Sequence, residues 1–412
     1  MSTDALDYDA LHREASARTG GLRDFGDASY EEPLRRLLRS LDEVARLHER
    51  GREKMAARIL GILENRLRTE AWYARHPEIA DEEIVAPFAI VGLGRTGTTM
   101  LHRTIASDDR VLALLWWESR NPAPLLDPFE GTDPRILAAE AEVRAMLEAA
   151  PALAASHPFD AHGPDEEIML MEHSFYSTDT EAFAHVPSYS RWLDAQDQRP
   201  GYDYLKRLLR LLQWSKKRAG TRARRWVLKT PHHLGFMPSL LEAFPEVRVL
   251  QTHRDPIETI PSFASLVHGC RIGNTDALDP SVTGREWGGR MQRAIASCMR
   301  FRTMHEERFV DVRYEDLCRE PLACVRRIYD FVGLAFTPEA EAAMRRWSVE
   351  NARDRRPPHA YTLEEYGFTR EGIERDFAVY RERFVETDAA PPRRESAGSS
   401  ARRSFSRTPP FI

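Results

Sequence analysis

Between about Tyr30 and Tyr73 the apolar residues Leu34, Leu37, Leu38, Leu41, Val44 and Leu47 recur three or four positions apart, with Arg and Glu between them. That spacing predicts two amphipathic helices. Pro77 and the acidic run Asp81-Glu82-Glu83 break the pattern, and PFAIVGLG then reads as a short apolar strand running directly into a glycine loop. MLHRTIAS returns to helical spacing, followed by a proline-rich stretch from Asn121 to Pro134 and helical or irregular segments to about Lys217. Three further strands are predicted at RRWVLKT (Arg224 to Thr230), VRVLQT (Val247 to Thr252) and RFVDVRY (Arg308 to Tyr314). The helix-like GFMPSLLEAF separates the first two, and the helix PLACVRRIYDFVGL follows the third. Short apolar strands alternating with helices imply βαβ units, an α/β fold with a parallel sheet flanked by helices. No internal repeat interrupts this order, and the Pro-, Ser- and Arg-rich segment from Ala389 reads as a disordered tail.

Composition narrows the function. The 412 residues are 42% hydrophobic, enough for a substantial core. The net charge of −5 creates no general field favouring nucleic acid or an anionic membrane. Cys270, Cys298, Cys318 and Cys324 form no C-x-x-C pair and have no histidine at metal-ligand spacing, so reduced cysteines are expected. MSTDALDYDALHREAS lacks the basic start and apolar run of a secretory signal. No stretch approaches the roughly 18–20 apolar residues of a membrane span, and the cytoplasm is the expected location.

The loop GLGRTGTT has Gly92 and Gly97 at the separation of a nucleotide triphosphate loop, but Thr98 stands where that motif places lysine. A strand, glycine loop and helix start present backbone N–H groups and a positive dipole end to a phosphate or sulfate. Without the lysine, side-chain charge must come from Arg95, which weakens an ATPase reading. His253-Arg254-Asp255 has the letters of a kinase catalytic loop, yet Ile260 occupies the position where a kinase needs asparagine. Physically, Asp255 is an N-cap, Pro256 the first helical residue and Glu258 the closing member of a capping box. Arg254 then lies at a strand end beside the ligand crevice of an open α/β sheet, with Ser262 about two turns along the next helix. A guanidinium and a hydroxyl form a second anion site; a surface ion pair and an ordinary helix serine are their plainer readings.

Taken together and in order, GRTGTT after a strand, VLKTPHH, the strand-end THRDP with its later serine, and VRYEDLCREPLACVRRIYDFVGL resemble bacterial-type sulfotransferases that use 3′-phosphoadenosine 5′-phosphosulfate (PAPS). The resemblance runs from about Ile84 to Phe384 and implies a P-loop-type fold. It implies a 5′-phosphosulfate loop at Arg95, Thr96, Gly97, Thr98 and Thr99, a 3′-phosphate pair at Arg254 and Ser262, and a nucleotide contact at Tyr314. Sulfuryl transfer moves a group of lower charge than a phosphoryl, so arginine, lysine and backbone donors can suffice without a metal. The domains expected are a helical extension over 1–83, an α/β domain over 84–385 with an acceptor-side insertion at about 121–217, and a tail over 386–412. Gly94 replaces the proline common before the loop cation, which should loosen the turn. The family's C-terminal Arg-Lys-Gly clamp is missing, leaving Arg353, Arg355 or Arg356 as substitutes or as a solvated charge run.

By the same resemblance, Lys229 would neutralise the leaving phosphate as an acceptor hydroxyl attacks sulfur in line. His232 is the expected general base, with adjacent His233 as a substitute. Glu118, within Trp116-Trp117-Glu118, is an equal rival, because aromatic neighbours would desolvate its carboxylate. Asp165-Glu166-Glu167, His157, His162 and His173 either touch the acceptor or belong to loops and solvated faces. Phe175, Tyr176, Phe183, Tyr189 and Trp192 suit an apolar acceptor or the core. The acceptor expected is a small-molecule or lipid-like alcohol. The N-terminal helices either cover the cleft or join subunits of a homo-oligomer. A Mg²⁺-dependent phosphotransferase using a nucleoside triphosphate, and a catalytically silent nucleotide-binding protein, are the competing readings.

Overall fold

In the computed structural model, which describes residues 6–149, 159–351 and 360–386, PFAIVGLG forms the centre of the molecule. Its strand β1 (Phe88–Gly92) is buried throughout, sending Phe88 and Ile90 to one hydrophobic cluster and Ala89 and Val91 to another. This two-residue alternation places core on both faces, as a parallel sheet under helices requires. With β2 (Val111–Leu112), β3 (Arg225–Lys229), β4 (Arg248–His253) and β5 (Phe309–Arg313) it forms a five-stranded parallel sheet in the order β2-β3-β1-β4-β5. Four of these strands were expected. The fifth, β2, is two residues long and too short to give a periodic signal.

Register fixes the site. Gly92 at the end of β1 lies beside Thr252 of β4, and His253 lies beside Arg313 of β5. Ile90 pairs with Lys229 of β3. The glycine loop, THRDP, VLKTP and RYEDL therefore emerge together at the carboxyl edge of one sheet, where ligands of open α/β folds bind.

The expected N-terminal helices occupy Glu31–Glu43 and Glu49–Arg75, preceded by a further helix, Tyr8–Arg18. Leu34, Leu37, Leu38 and Leu41 are buried, but not against the sheet. They share a cluster with Phe175, Tyr176, Tyr189 and Leu193 from the insertion, and Trp192 packs at its margin. Those four insertion aromatics are therefore core residues of this second cluster, whereas Phe183 also reaches a cavity wall. The N-terminal helices thus form one apolar body with the insertion. Of the expected tail, residues 387–412 lie outside the described residues.

Candidate active site

The glycine loop turns on two left-handed residues. Gly97, the N-cap of helix Thr98–Ala106, has φ of +88°, and Arg95 has φ of +73°, a conformation a non-glycine residue adopts only when its surroundings hold it there. The restraint comes from Thr96, fully buried, whose hydroxyl bonds the Leu93 carbonyl at 2.7 Å and the Thr252 hydroxyl at 2.6 Å. A Cβ on Gly92 would lie 2.2 Å from Thr252 Oγ1. At Gly94 it would lie 2.3 Å from Phe263, so the residue expected to loosen the turn instead admits an aromatic ring against it.

Beside the loop, the residues expected to hold the 3′-phosphate come together from three elements. Arg254 donates from Nη1 to the Arg95 carbonyl at 3.3 Å and lies 4.1 Å over the Tyr314 ring. A Cβ at Gly97 would meet that same tyrosine at 3.0 Å, so Tyr314 spans from Arg254 to the loop. Arg95 Nε donates to Ser262 Oγ at 3.2 Å. Arg95, Arg254, Ser262 and Tyr314, separated by up to 219 positions, thus converge. Asp255 does cap helix Pro256–Ile272, accepting from the Ile257 N–H at 3.0 Å. The capping box is a correction, because the Glu258 carboxylate pairs with Arg254 instead.

From Gly92, Gly94, Arg95, Thr98 and Thr99 a cavity of about 410 Å³ extends beneath helices Pro256–Ile272 and Pro280–Arg302. Its walls are largely apolar, with Phe183, Phe236, Phe263, Val267, Trp287 and Met291 among them. His232 joins this wall. It is 5% exposed, its Nδ1 is hydrogen-bonded to the Thr178 hydroxyl at 3.2 Å, and its Nε2 has no hydrogen-bond partner among the described residues. Burial, reinforced by His233 and Arg290, holds His232 well below the usual 6.5 of a histidine, so the neutral imidazole dominates near neutrality.

The other base candidates occupy different surroundings. His233 is fully buried between Glu167 and the Tyr202 hydroxyl, each at 2.7 Å. Glu118 accepts from the Leu115 N–H at 2.9 Å and pairs with Lys216 at 2.5 Å, closing the N-terminus of the short helix Trp116–Arg120. Lys229 is 1% exposed at the end of β3 and is paired with Glu166, a cavity-wall residue whose carboxyl is raised by burial. Glu167 accepts from the Lys229 N–H at 2.7 Å, so the acidic run spotted in the sequence supports the lysine and His233. His173 is buried and bonded to the Met169 carbonyl at 3.1 Å, while His162 is exposed against Glu140. His157, Arg353, Arg355 and Arg356 lie outside the described residues.

Several contributors had no sequence signal. Thr252 locks Thr96, Phe263 fills the space over Gly94, and Thr178 meets His232. Each acts on a partner at least 54 positions away, so no local motif marks it.

A parallel sheet that gathers a lysine-free glycine loop and an arginine–serine corner at its carboxyl edge defines a P-loop-type protein. Residues 87–338 match the model of the Sulfotransferase family, and the chain belongs to that family. It is 30% identical over 264 residues to two proteins named omega-hydroxy-beta-dihydromenaquinone-9 sulfotransferase Stf3, from Mycobacterium bovis and Mycobacterium tuberculosis. That match covers 61% of this chain, and the chain spans 64% of the length of these curated relatives. Among solved structures, sulfotransferase STF1 from Mycobacterium tuberculosis H37Rv superposes with a TM-score of 0.79 at 31% identity, covering 92% of this chain and all of that one (100%). Sulfotransferase STF9 from Mycobacterium avium gives 0.82 at 29% identity, over 93% and 98% of the two chains.

Proposed function

We propose that the protein transfers a sulfuryl group from PAPS to a hydroxyl of a small-molecule or lipid-like acceptor. The observation carrying this reading is that the glycine-loop residues Gly94, Arg95, Thr98 and Thr99 line the same largely apolar cavity as His232, while Arg254, bonded to the Arg95 carbonyl, stands beside that loop. The residues present suit the donor, since the helix starting at Thr98 opens backbone N–H groups to which a tetrahedral anion can bind, and the fork of Arg254 suits a phosphate. Tyr314 offers a ring between the two.

In this reading Arg95, Thr96, Gly97, Thr98 and Thr99 hold the 5′-phosphosulfate, and Arg254 and Ser262 hold the 3′-phosphate. The acceptor oxygen forms a bond to sulfur as the bond from sulfur to the bridging phosphate oxygen breaks. His232 Nε2 takes the acceptor proton, and Lys229, steadied by Glu166, offsets charge on the departing 3′,5′-ADP. Glu118 serves the helix that carries it. No step requires a divalent cation. The apolar walls favour a lipid-like alcohol, in keeping with the hydroxylated menaquinone named for the Stf3 relatives. Among the described residues no helix is long and apolar enough to cross a membrane, and we assign the enzyme to the cytoplasm.

Incubation with PAPS and a panel of long-chain and aromatic alcohols in EDTA tests the reading. Acceptor-dependent release of 3′,5′-ADP supports it. Transfer only from a nucleoside triphosphate with Mg²⁺ makes the protein a phosphotransferase, and nucleotide binding without turnover across the panel makes it a silent binder.

A further inference from the structure

The N-terminal helix Glu49–Arg75 touches residues of the cavity wall through Asn65, which donates to the Arg120 carbonyl at 3.2 Å, and through Arg58. Arg58 binds Glu172 twice, from Nε at 3.0 Å and from Nη2 at 2.6 Å, and its Nη2 also pairs with Asp179. Asp179 and its neighbour Thr178 both line the cavity, and Thr178 is the residue bonded to His232. Between Glu172 and Thr180 the chain is tied at several other points. Thr180 donates to Glu172 at 3.0 Å, Ser177 donates to the Ile168 carbonyl at 3.0 Å, and Tyr189 donates to the Phe175 and Ser177 carbonyls. Two arginines of the helix Glu49–Arg75 also hold this stretch from outside the insertion: Arg66 donates to the His173 carbonyl at 2.7 Å, and Arg58 is the one whose charge meets its carboxylates, Glu172 and Asp179.

That charge is needed. Glu172 and Asp179 face each other in a buried space, and two carboxylates there cannot both stay ionised without a cation. Arg120, Glu166 and Cys270 complete the titratable surroundings of Asp179. Burial, followed by the Glu172 charge, pushes Asp179 up to about 7 even with Arg58 in place. Without Arg58 the turn carrying Thr178 would lose its attachment to the helix and gain a proton or a repulsion.

We infer that Arg58 is a positioning residue of the acceptor half-site: by clamping Glu172 and Asp179 it fixes Thr178, which orients the His232 ring. The N-terminal helices are then part of the site rather than an appendage. This inference rests on the proposed role of His232, but its test reads the imidazole directly. The full-length chain is labelled with ¹⁵N-histidine, and His232 is assigned by its absence in His232→Gln. At about pH 8, where Asp179 is mostly ionised, the wild-type resonance reports one neutral tautomer. In Arg58→Met at that pH it becomes averaged between tautomers, and Arg58→Lys restores most of the wild-type signal. Asp179→Asn, which keeps Arg58 and Glu172 paired, produces the same averaging and serves should Arg58→Met fail to fold.

Arg207→Met removes another ion pair of the same helix, with Glu70 at 2.6 Å, far from the histidine in the bonding network. It should lower thermal stability without altering the His232 signal. Affinity for 3′,5′-ADP stays within about twofold in every variant, since Arg58 pairs with Glu172 and Asp179 whereas Arg254 pairs with Glu258 and the Arg95 carbonyl. A His232 signal unchanged in Arg58→Met and Asp179→Asn, or one shifted equally by Arg207→Met, overturns the inference. Failure of the wild type to bind 3′,5′-ADP would sink the functional reading instead, leaving the histidine signal to decide on Arg58.

Discussion

The donor corner and the acceptor cavity share one sheet edge but are built in opposite ways. At the proposed donor corner each contribution comes from a short local motif, a glycine loop shaped by Thr96 and Gly97 and a strand end that delivers Arg254, even though the motifs themselves lie far apart in the chain. Much of its binding capacity is backbone, so its sequence is constrained by conformation. The acceptor cavity is assembled from the insertion, two long helices and the N-terminal helix, through contacts such as Arg58 with Asp179, 121 residues apart. Its chemistry depends on side chains that only the tertiary fold brings together.

The largest effect should come from the acceptor side. Removing the proposed base in His232→Ala is expected to lower turnover about 10²–10⁴-fold, with 3′,5′-ADP affinity unchanged by calorimetry. Full turnover would remove His232 from the mechanism. On the donor side, Gly92→Ala drives a Cβ into the Thr252 and Thr96 hydroxyls, at 2.2 and 2.7 Å. Overpacking of this kind costs about 1–3 kcal/mol, visible as a lowered Tm together with weakened nucleotide binding; a Tm unchanged would mean that the loop is not held as described.

Acidity separates the halves further. Because burial depresses His232 below 6.5, the neutral base persists as pH falls through that value, and the acid limb of kcat/KM should lie below it. The unfolded chain, by contrast, protonates this histidine near 6.5, so its contribution to stability is present above that pH and declines below it, by up to about 1.4 kcal/mol per pH unit. An acid limb at 6.5 assigned to His232 would contradict its burial. The smallest effect is expected from Glu118→Gln, which retains an oxygen for the Leu115 N–H and loses only the charge opposite Lys216. A stability loss of about 0.5–1.5 kcal/mol with unchanged turnover would keep Glu118 as a helix cap, whereas a loss of turnover with nucleotide binding intact would make it the base.

How much could be read in advance follows the same division. PFAIVGLG announced β1 and its loop because apolar run, glycine spacing and helix start are all local signals. Arg254 and Ser262 were legible through the strand end and the helix after it. VLKTPHH marked Lys229 and His232, but could not distinguish His232 on the cavity wall from His233 beneath it, since adjacent residues differ there only in which way the turn directs them. WWES suggested a desolvated carboxylate at Glu118, and the ion that neutralises it, Lys216, lies 98 residues on. Glu258 fitted a capping box until Arg254 competed for it. β2 offered only two residues, and Arg58 gave no signal at all, being one arginine on an amphipathic helix.

The central claim is that two anion-binding corners, the glycine loop and Arg254 with Ser262, hold the ends of one adenosine nucleotide without a metal. Calorimetry of 3′,5′-ADP binding in EDTA, comparing wild type with Arg254→Ala, tests it most directly. Clear binding by the wild type and a loss of about 2–5 kcal/mol in the variant are expected. Equal affinity in the two proteins would contradict it.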